Sequence, residues 1–180
     1  MQNYNIGYLL VLEKEESFIG GIMVTDSKGL PIEFKYSEPI KPNKIQKVIY
    51  GKVLNNYLKE ELITNNLIKE ITATPTIIII NEPSFIKGKE KIVKFPAICV
   101  QRTNLPQMKT PGEIQRIKDI EIVFQPFQEM NPLRIIFGSP DPDFQEKMIL
   151  IIKEISREMD IYEPVDRIEK AIDIIWKEKK

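Results

Sequence analysis

The stretch that most restricts the fold is Ile77-Ile78-Ile79-Ile80, led by Thr76. Five successive β-branched side chains favour an extended backbone. Neighbouring side chains of a strand point to opposite faces, so an unbroken apolar run needs cover on both. It is far shorter than the roughly 20 residues of a membrane-spanning helix. The run therefore reads as a central strand of a sheet held between two layers. Asn81-Glu82-Pro83 ends it, and the rest of the 180 residues must supply the neighbours and the cover.

The flanking sequence does so in a recognisable order. Residues 6–12 are apolar and end in Glu13-Lys14-Glu15-Glu16, a turn; residues 18–25 follow. Gly20-Gly21 inside the second run predicts a bulge or a close approach by another backbone. Asp26-Ser27-Lys28-Gly29 is a tight-turn signature, and Ile32, Phe34 and Tyr36 then alternate with polar residues. Three antiparallel strands result. Pro39 and Pro42 carry the chain outward, and Asn43 with Gln46 predicts a capping box. The apolar face from Ile45 to Leu58 drifts, with Gly51 and Asn55-Asn56 inside it, so a kink or two helices are expected within 43–71. A hairpin is expected over 85–95 through Gly88-Lys89, then strands at 97–101, 120–124 and 133–137, with a mobile polar loop at 102–112. Asp141 and Pro142 open a helix whose Phe144, Met148, Ile151, Ile152, Ile155 and Met159 form one stripe; Pro164 opens another. The expected fold is α+β: a mainly antiparallel sheet of about six to seven strands, packed by the central helical segment and two C-terminal helices. Residues 1–180 read as a single domain, with possible sub-lobes at 1–82 and 83–180.

Composition narrows the chemistry. Histidine is absent, which removes Ser-His-Asp and Cys-His catalysis and imidazole-bound zinc. Acid–base work would fall to carboxylates, Lys, Tyr or the lone thiol. Lys plus Arg equals Asp plus Glu at 26 each, so no global field attracts nucleic acid or acidic membrane. Single Cys99 lies in an apolar run and reads as a small buried hydrophobe in a reducing compartment. The opening Met1-Gln2-Asn3-Tyr4-Asn5 lacks the pattern of a secretion leader, so a cytoplasmic setting is expected. Abundant Lys and Ile suit an A+T-rich bacterial genome and a thermophile.

The stretch from Gly20-Gly21 through Val24-Thr25-Asp26, Gly29, Pro31, Glu33 and Phe34 resembles a group of bacterial proteins sharing GG-x-x-VTD-x-x-G-x-P-x-EF. Pro39 and Pro42, then Tyr50-Gly51, Leu54, Tyr57 and Leu58, continue the likeness. The resemblance covers the first third of the chain and implies no activity. The strand–turn–strand unit is also similar to the hairpin of profilin-like and roadblock-like domains, which implies an adaptor or regulator.

Four groups of side chains are candidates. Asp26, Asp141 and Asp143, with Glu82, could bind Mg²⁺ through carboxylate oxygens; turn bonding for Asp26 and helix capping for Asp141 are their ordinary roles. Lys41, Lys44 and Lys47 surround a helix start and suit an anion such as phosphate, or else pair with Glu33, Glu38 or a glutamate elsewhere. Lys87, Lys89 and Lys91, near Lys94, could follow a nucleic-acid backbone or guard an edge strand. Tyr50, Tyr57 and Trp176 could serve an interface. With no convergent nucleophile, base or metal set, the expectation is a non-catalytic binding or regulatory module without a cofactor. A homodimer, a protein partner or a small anionic ligand is expected; membrane is not, and nucleic acid is disfavoured. The alternatives are a phosphate- or nucleotide-binding protein built on the three lysines and a carboxylate-dependent Mg²⁺ enzyme.

Overall fold

In the computed structural model, which describes residues 3–180, Ile77–Ile80 forms β4, fully buried and parallel to both neighbours, β1 (Ile6–Lys14) and β6 (Phe95–Arg102). Met1 and Gln2, the first two residues of the opening without a leader pattern, lie outside the described residues. β2 (Ser17–Thr25) and β3 (Pro31–Tyr36) extend the sheet from β1 as an antiparallel meander. Beyond β6 come β9 (Leu133–Phe137), β8 (Glu121–Phe124) and β7 (Ile114–Lys118), all antiparallel to their neighbours. The sheet order is β3-β2-β1-β4-β6-β9-β8-β7, and the short β5 (Lys91–Ile92) pairs with β6 beside it.

The α+β, mainly antiparallel expectation holds, but nine strands replace six to seven, and three of them make a parallel centre. β7 was missed because most of its side chains are exposed, so it carries no half-buried alternation. The hairpin expected over 85–95 is different: Pro83–Ile86 is a 3₁₀ turn, and the reversal falls at Val93-Lys94 between β5 and β6. Val93 takes a left-handed backbone there, φ 57°, where a β-branched residue is unexpected.

Two layers cover the sheet. On one face lie α4 (Pro142–Glu158) and α5 (Glu163–Lys179), whose Met148, Ile152, Ile155, Ile168 and Ile172 meet Tyr8, Ile79, Ile98 and Ile135. On the other, the segment after β3 changes form repeatedly. It runs as α1 (Lys44–Tyr50), a 3₁₀ turn at Gly51–Val53, α2 (Leu54–Asn56), a π-helix at Tyr57–Thr64 and α3 (Asn65–Glu70). Leu54, Leu58, Ile63 and Leu67 from it pack on Leu9, Ile22, Ile78 and Ile80. The paired glycines of β2 serve both layers rather than a bulge. A Cβ at Gly20 would come within 2.4 Å of Ile63, and one at Gly21 within 3.0 Å of Ile168. Among the described residues, no helix is long and apolar enough to cross a membrane.

Candidate functional site

β4 stops at Ile80, level with Leu9 of β1 and Cys99 of β6. β1 runs on to Lys14 and β6 to Arg102. At about 3.3 Å per residue, the early stop leaves a notch roughly 10 Å deep on the β6 side. Crevices beyond the carboxyl ends of parallel strands are the usual ligand sites of open sheets.

The notch carries acids on its β1 and β4 side and an arginine on the other. Glu82 stands just past β4 and accepts a hydrogen bond from Ser84 Oγ at 3.2 Å. Gln101 Nε2 donates to the Asn81 carbonyl at 3.2 Å, fixing the chain as it leaves the strand. Glu13 continues the face of Leu9 and Val11 by strand alternation, and lines a depression of about 310 Å³ with Glu16, Phe18, Lys47, Lys52 and Leu54. Across the notch, Arg134 grips Glu121 through two bonds, Nε to Oε1 at 2.6 Å and Nη2 to Oε2 at 2.8 Å. That pairing holds the Glu121 carboxyl below its ordinary range. On the opposite face of the sheet, the face of Val100, Arg102 at the end of β6 bonds Asp166 of α5, and its guanidinium lies 4.5 Å above the Tyr162 ring. Both arginines remain half-exposed.

Beside the notch, the β1–β2 turn meets the predicted lysines. Lys14 pairs with Ser17, so Glu15 and Glu16 form a two-residue turn, with φ of 48° and 64° that Asn or Gly would adopt at less cost. Glu16 accepts from Lys47 Nζ at 2.9 Å and lies 3.6 Å from Lys41, and the two ammonium groups, Lys47 first, lower its pKa. Thus Lys41 and Lys47 do converge, on a carboxylate of the chain itself; Lys44 stands exposed on α1. The capping box forms: Gln46 N donates to Asn43 Oδ1 at 2.8 Å, and Asn43 N donates to Gln46 Oε1 at 2.9 Å.

The four acids proposed for Mg²⁺ do not form one set. Asp26 follows β2 at Thr25, which pairs with Ile6 at the start of β1, the edge opposite Glu82. Its Oδ1 accepts from the Lys28 and Leu30 amides at 2.9 Å each, a turn role. Asp141 caps α4 by accepting from the Phe144 amide at 3.2 Å, with Asp143 in the same first turn. Among the described residues, no group of three or more His, Cys, Asp or Glu side chains is placed to hold a metal ion. Cys99 is buried, which pushes its thiol up to about 12 and keeps it protonated. Of the alternating lysines, only Lys91 lies in a strand, while Lys89 approaches Glu60 at 3.7 Å. Tyr50 and Tyr57 stack with ring centres 5.1 Å apart. Sequence reasoning missed Glu121, Arg134 and Gln101, because only the β6-β9-β8 pairing brings them together.

No protein-family model matches the chain, and no curated protein does. Solved structures do share its fold. The endonuclease V of Bacillus subtilis superposes with a TM-score of 0.55 at 15% identity, over 96% of this chain and 84% of that one. Human ENDOV gives 0.53 at 15% identity, over 94% and 86%. Ciona intestinalis endonuclease V, solved with a 24mer DNA containing an inosine followed by a ribo-adenosine, gives 0.51 at 11% identity, over 82% and 77%.

This likeness of fold overturns three expectations: a non-catalytic adaptor or regulatory module, a chain that is not an enzyme, and nucleic acid as a disfavoured partner. The physical reason lies in averaging. A net charge of zero describes the whole chain and not its local arrangement, as where Lys47 and Lys52 line one depression beside β1.

Proposed function

We propose that this chain acts on nucleic acid at the carboxyl edge of β1, β4 and β6. The observation that carries the reading is a fold shared, over nearly the whole chain, with endonuclease V proteins, one of which holds inosine-containing DNA. The edge suits a polyanion: Arg134 borders the notch, and Lys47 and Lys52 stand with Glu13 on its β1 side. Cleavage of a phosphodiester would rest on Glu13 and Glu82. They end adjacent parallel strands, and a chain without histidine has carboxylates as its natural proton acceptors. A buried, protonated Cys99 fits the reducing cytoplasm.

The test uses the purified full chain with labelled inosine-containing DNA, ordinary DNA and RNA, with and without Mg²⁺. Binding is read by fluorescence anisotropy at several salt concentrations, and strand breaks on denaturing gels. The expected result is salt-sensitive binding, with cleavage lost in Glu82→Gln while binding persists. Binding without cleavage in the parent chain would remove Glu13 and Glu82 from the reading. No binding to any of the three would end it.

A further inference from the structure

α1 is helical, yet none of its side chains is buried. Ile45, Val48 and Ile49 recur at i, i+3 and i+4, and are 69%, 82% and 73% exposed; Val53 in the following turn is 62% exposed. Tyr50 and Tyr57, stacked on each other, stand at the end of this stripe. Six of the fifteen exposed large apolar side chains among the described residues thus fall within residues 45–57. Isolated helices shorter than about 12 residues are marginal in water, and most draw their stability from burying an apolar face. α1 has the capping box and no such burial. Contiguous exposed apolar surface of this kind marks a contact site.

The charges around the stripe say what sort of partner fits. Lys41, Lys44, Lys47 and Lys52 flank it, α1 has no acid in its first turn, and Lys41 and Lys47 meet Glu16. Apolar and aromatic side chains ringed by ammonium groups match a polymer with flat apolar bases on an anionic backbone. A duplex hides the base faces; a single strand offers them.

We propose that residues 41–57 form a docking face for single-stranded nucleic acid, with Ile45, Val48, Ile49 and Tyr50 against unstacked bases and Lys44 and Lys52 on phosphates. The inference rests on the reading that the chain acts on nucleic acid, and adds the strand type and the surface that receives it.

The test compares the full chain, the triple variant Ile45→Ser/Val48→Ser/Ile49→Ser and the double variant Lys44→Glu/Lys52→Glu. Both sets of positions are exposed, so circular dichroism should show the same fold. The probe is a fluorescein-labelled oligothymidine of about 20 nucleotides, longer than a single-strand site, and the same strand annealed to its complement. The parent chain should bind the single strand more tightly than the duplex, and each variant should lose about tenfold in affinity, the lysine variant with a shallower salt dependence. Variants that bind like the parent would overturn this docking face while leaving the broader reading intact. A parent chain that binds neither probe would overturn both. Equal affinity for duplex would defeat the single-strand assignment. A dimer dissolved by the triple serine variant, with unchanged affinity for the strand, would give the face to a second copy instead.

Discussion

The two layers that sandwich the sheet solve the same problem in opposite ways. α4 and α5 are unbroken 17-residue helices with straight apolar stripes, and both stay α-helical throughout. The layer over the other face spans 44–70 and passes through α, 3₁₀, α, π and α geometry. In the first layer the apolar stripes follow the 3.6-residue period, so each helix can bury its own stripe without a change of form. In the second they drift, and the backbone absorbs the drift. Gly51 turns with φ 53°, and the wider π turns of Tyr57–Thr64 return Leu58 and Ile63 to the sheet. The lesson is that regularity tracks how fully a layer is committed to the core. π turns are frequent at functional sites, and here they follow the uncovered α1 after one 3₁₀ turn and the short α2.

The comparison breaks most sharply at Ile155, fully buried in the α4 stripe. Ile155→Ala should cost about 3 kcal/mol, since a core cavity adds to the lost transfer energy. Urea unfolding of the full chain would show it as a lower midpoint at unchanged slope. A loss below about 1 kcal/mol would mean that the regular layer is less committed to the core than its burial indicates.

Next comes Gly20→Ala, which presses on the irregular layer. The new Cβ would lie 2.4 Å from Ile63 Cγ2 and 3.0 Å from Leu67 Cδ1. Ile63 Cγ2 sits on a branched carbon and cannot swing away, so the π-helical segment must shift; about 2 kcal/mol is expected. Adding Ile63→Ala should recover part of that cost in a double-mutant cycle, whereas strict additivity would show that the two residues do not press on each other.

A smaller effect attaches to Glu33, which ties β3 to the end of the irregular layer. Its carboxylate accepts from the Ala73 amide at 2.8 Å, the Thr72 amide at 3.0 Å and the Thr72 hydroxyl at 3.2 Å. Backbone bonding from Ala73 leads the causes that lower its pKa. A folded pKa below the unfolded one gives stability that is present above the unfolded value and lost as pH falls through the folded one. Glu33→Gln should therefore cost about 1 kcal/mol near neutral pH, and the gap from the parent should close in acid, as pH falls through the lowered folded pKa. Thermal melts at both pH values check this; a gap independent of pH would point to shape rather than charge.

These positions also show what the sequence could and could not reveal. The Asp141-Pro142 start and the stripe behind it were legible because cap, proline and period all agree. The Asn43/Gln46 box located the start of α1 to the residue, yet capping chemistry is local and does not report whether the helix that follows is covered. Ile77–Ile80 announced burial on both faces but not its parallel neighbours, because strand direction is set by connections rather than by side chains. Glu121 and Arg134 are 13 residues apart in sequence, and only the antiparallel register of β8 and β9 makes them an ion pair. The turn at Val93-Lys94 defeats any residue-type rule, since Val is the wrong residue for φ 57°. The notch itself has no sequence signal, for it arises from β4 being shorter than β1 and β6.

The smallest expected effect is the most informative about the irregular layer. Val48→Ser and Ile49→Ser remove apolar surface that is already in water, so folding gains and loses almost the same solvation. Each should change stability by no more than about 0.5 kcal/mol, set by helix propensity alone. The same kind of change in α4, at Ile152, would remove a side chain that is 1% exposed and leave a hydroxyl in the core. Urea unfolding of the two sets side by side measures the contrast. If the serine variants of α1 unfolded well before the parent, the helix would be packed against something in solution. If they match it, the aliphatic stripe contributes nothing to folding, and what it contributes must be sought in contacts with another molecule.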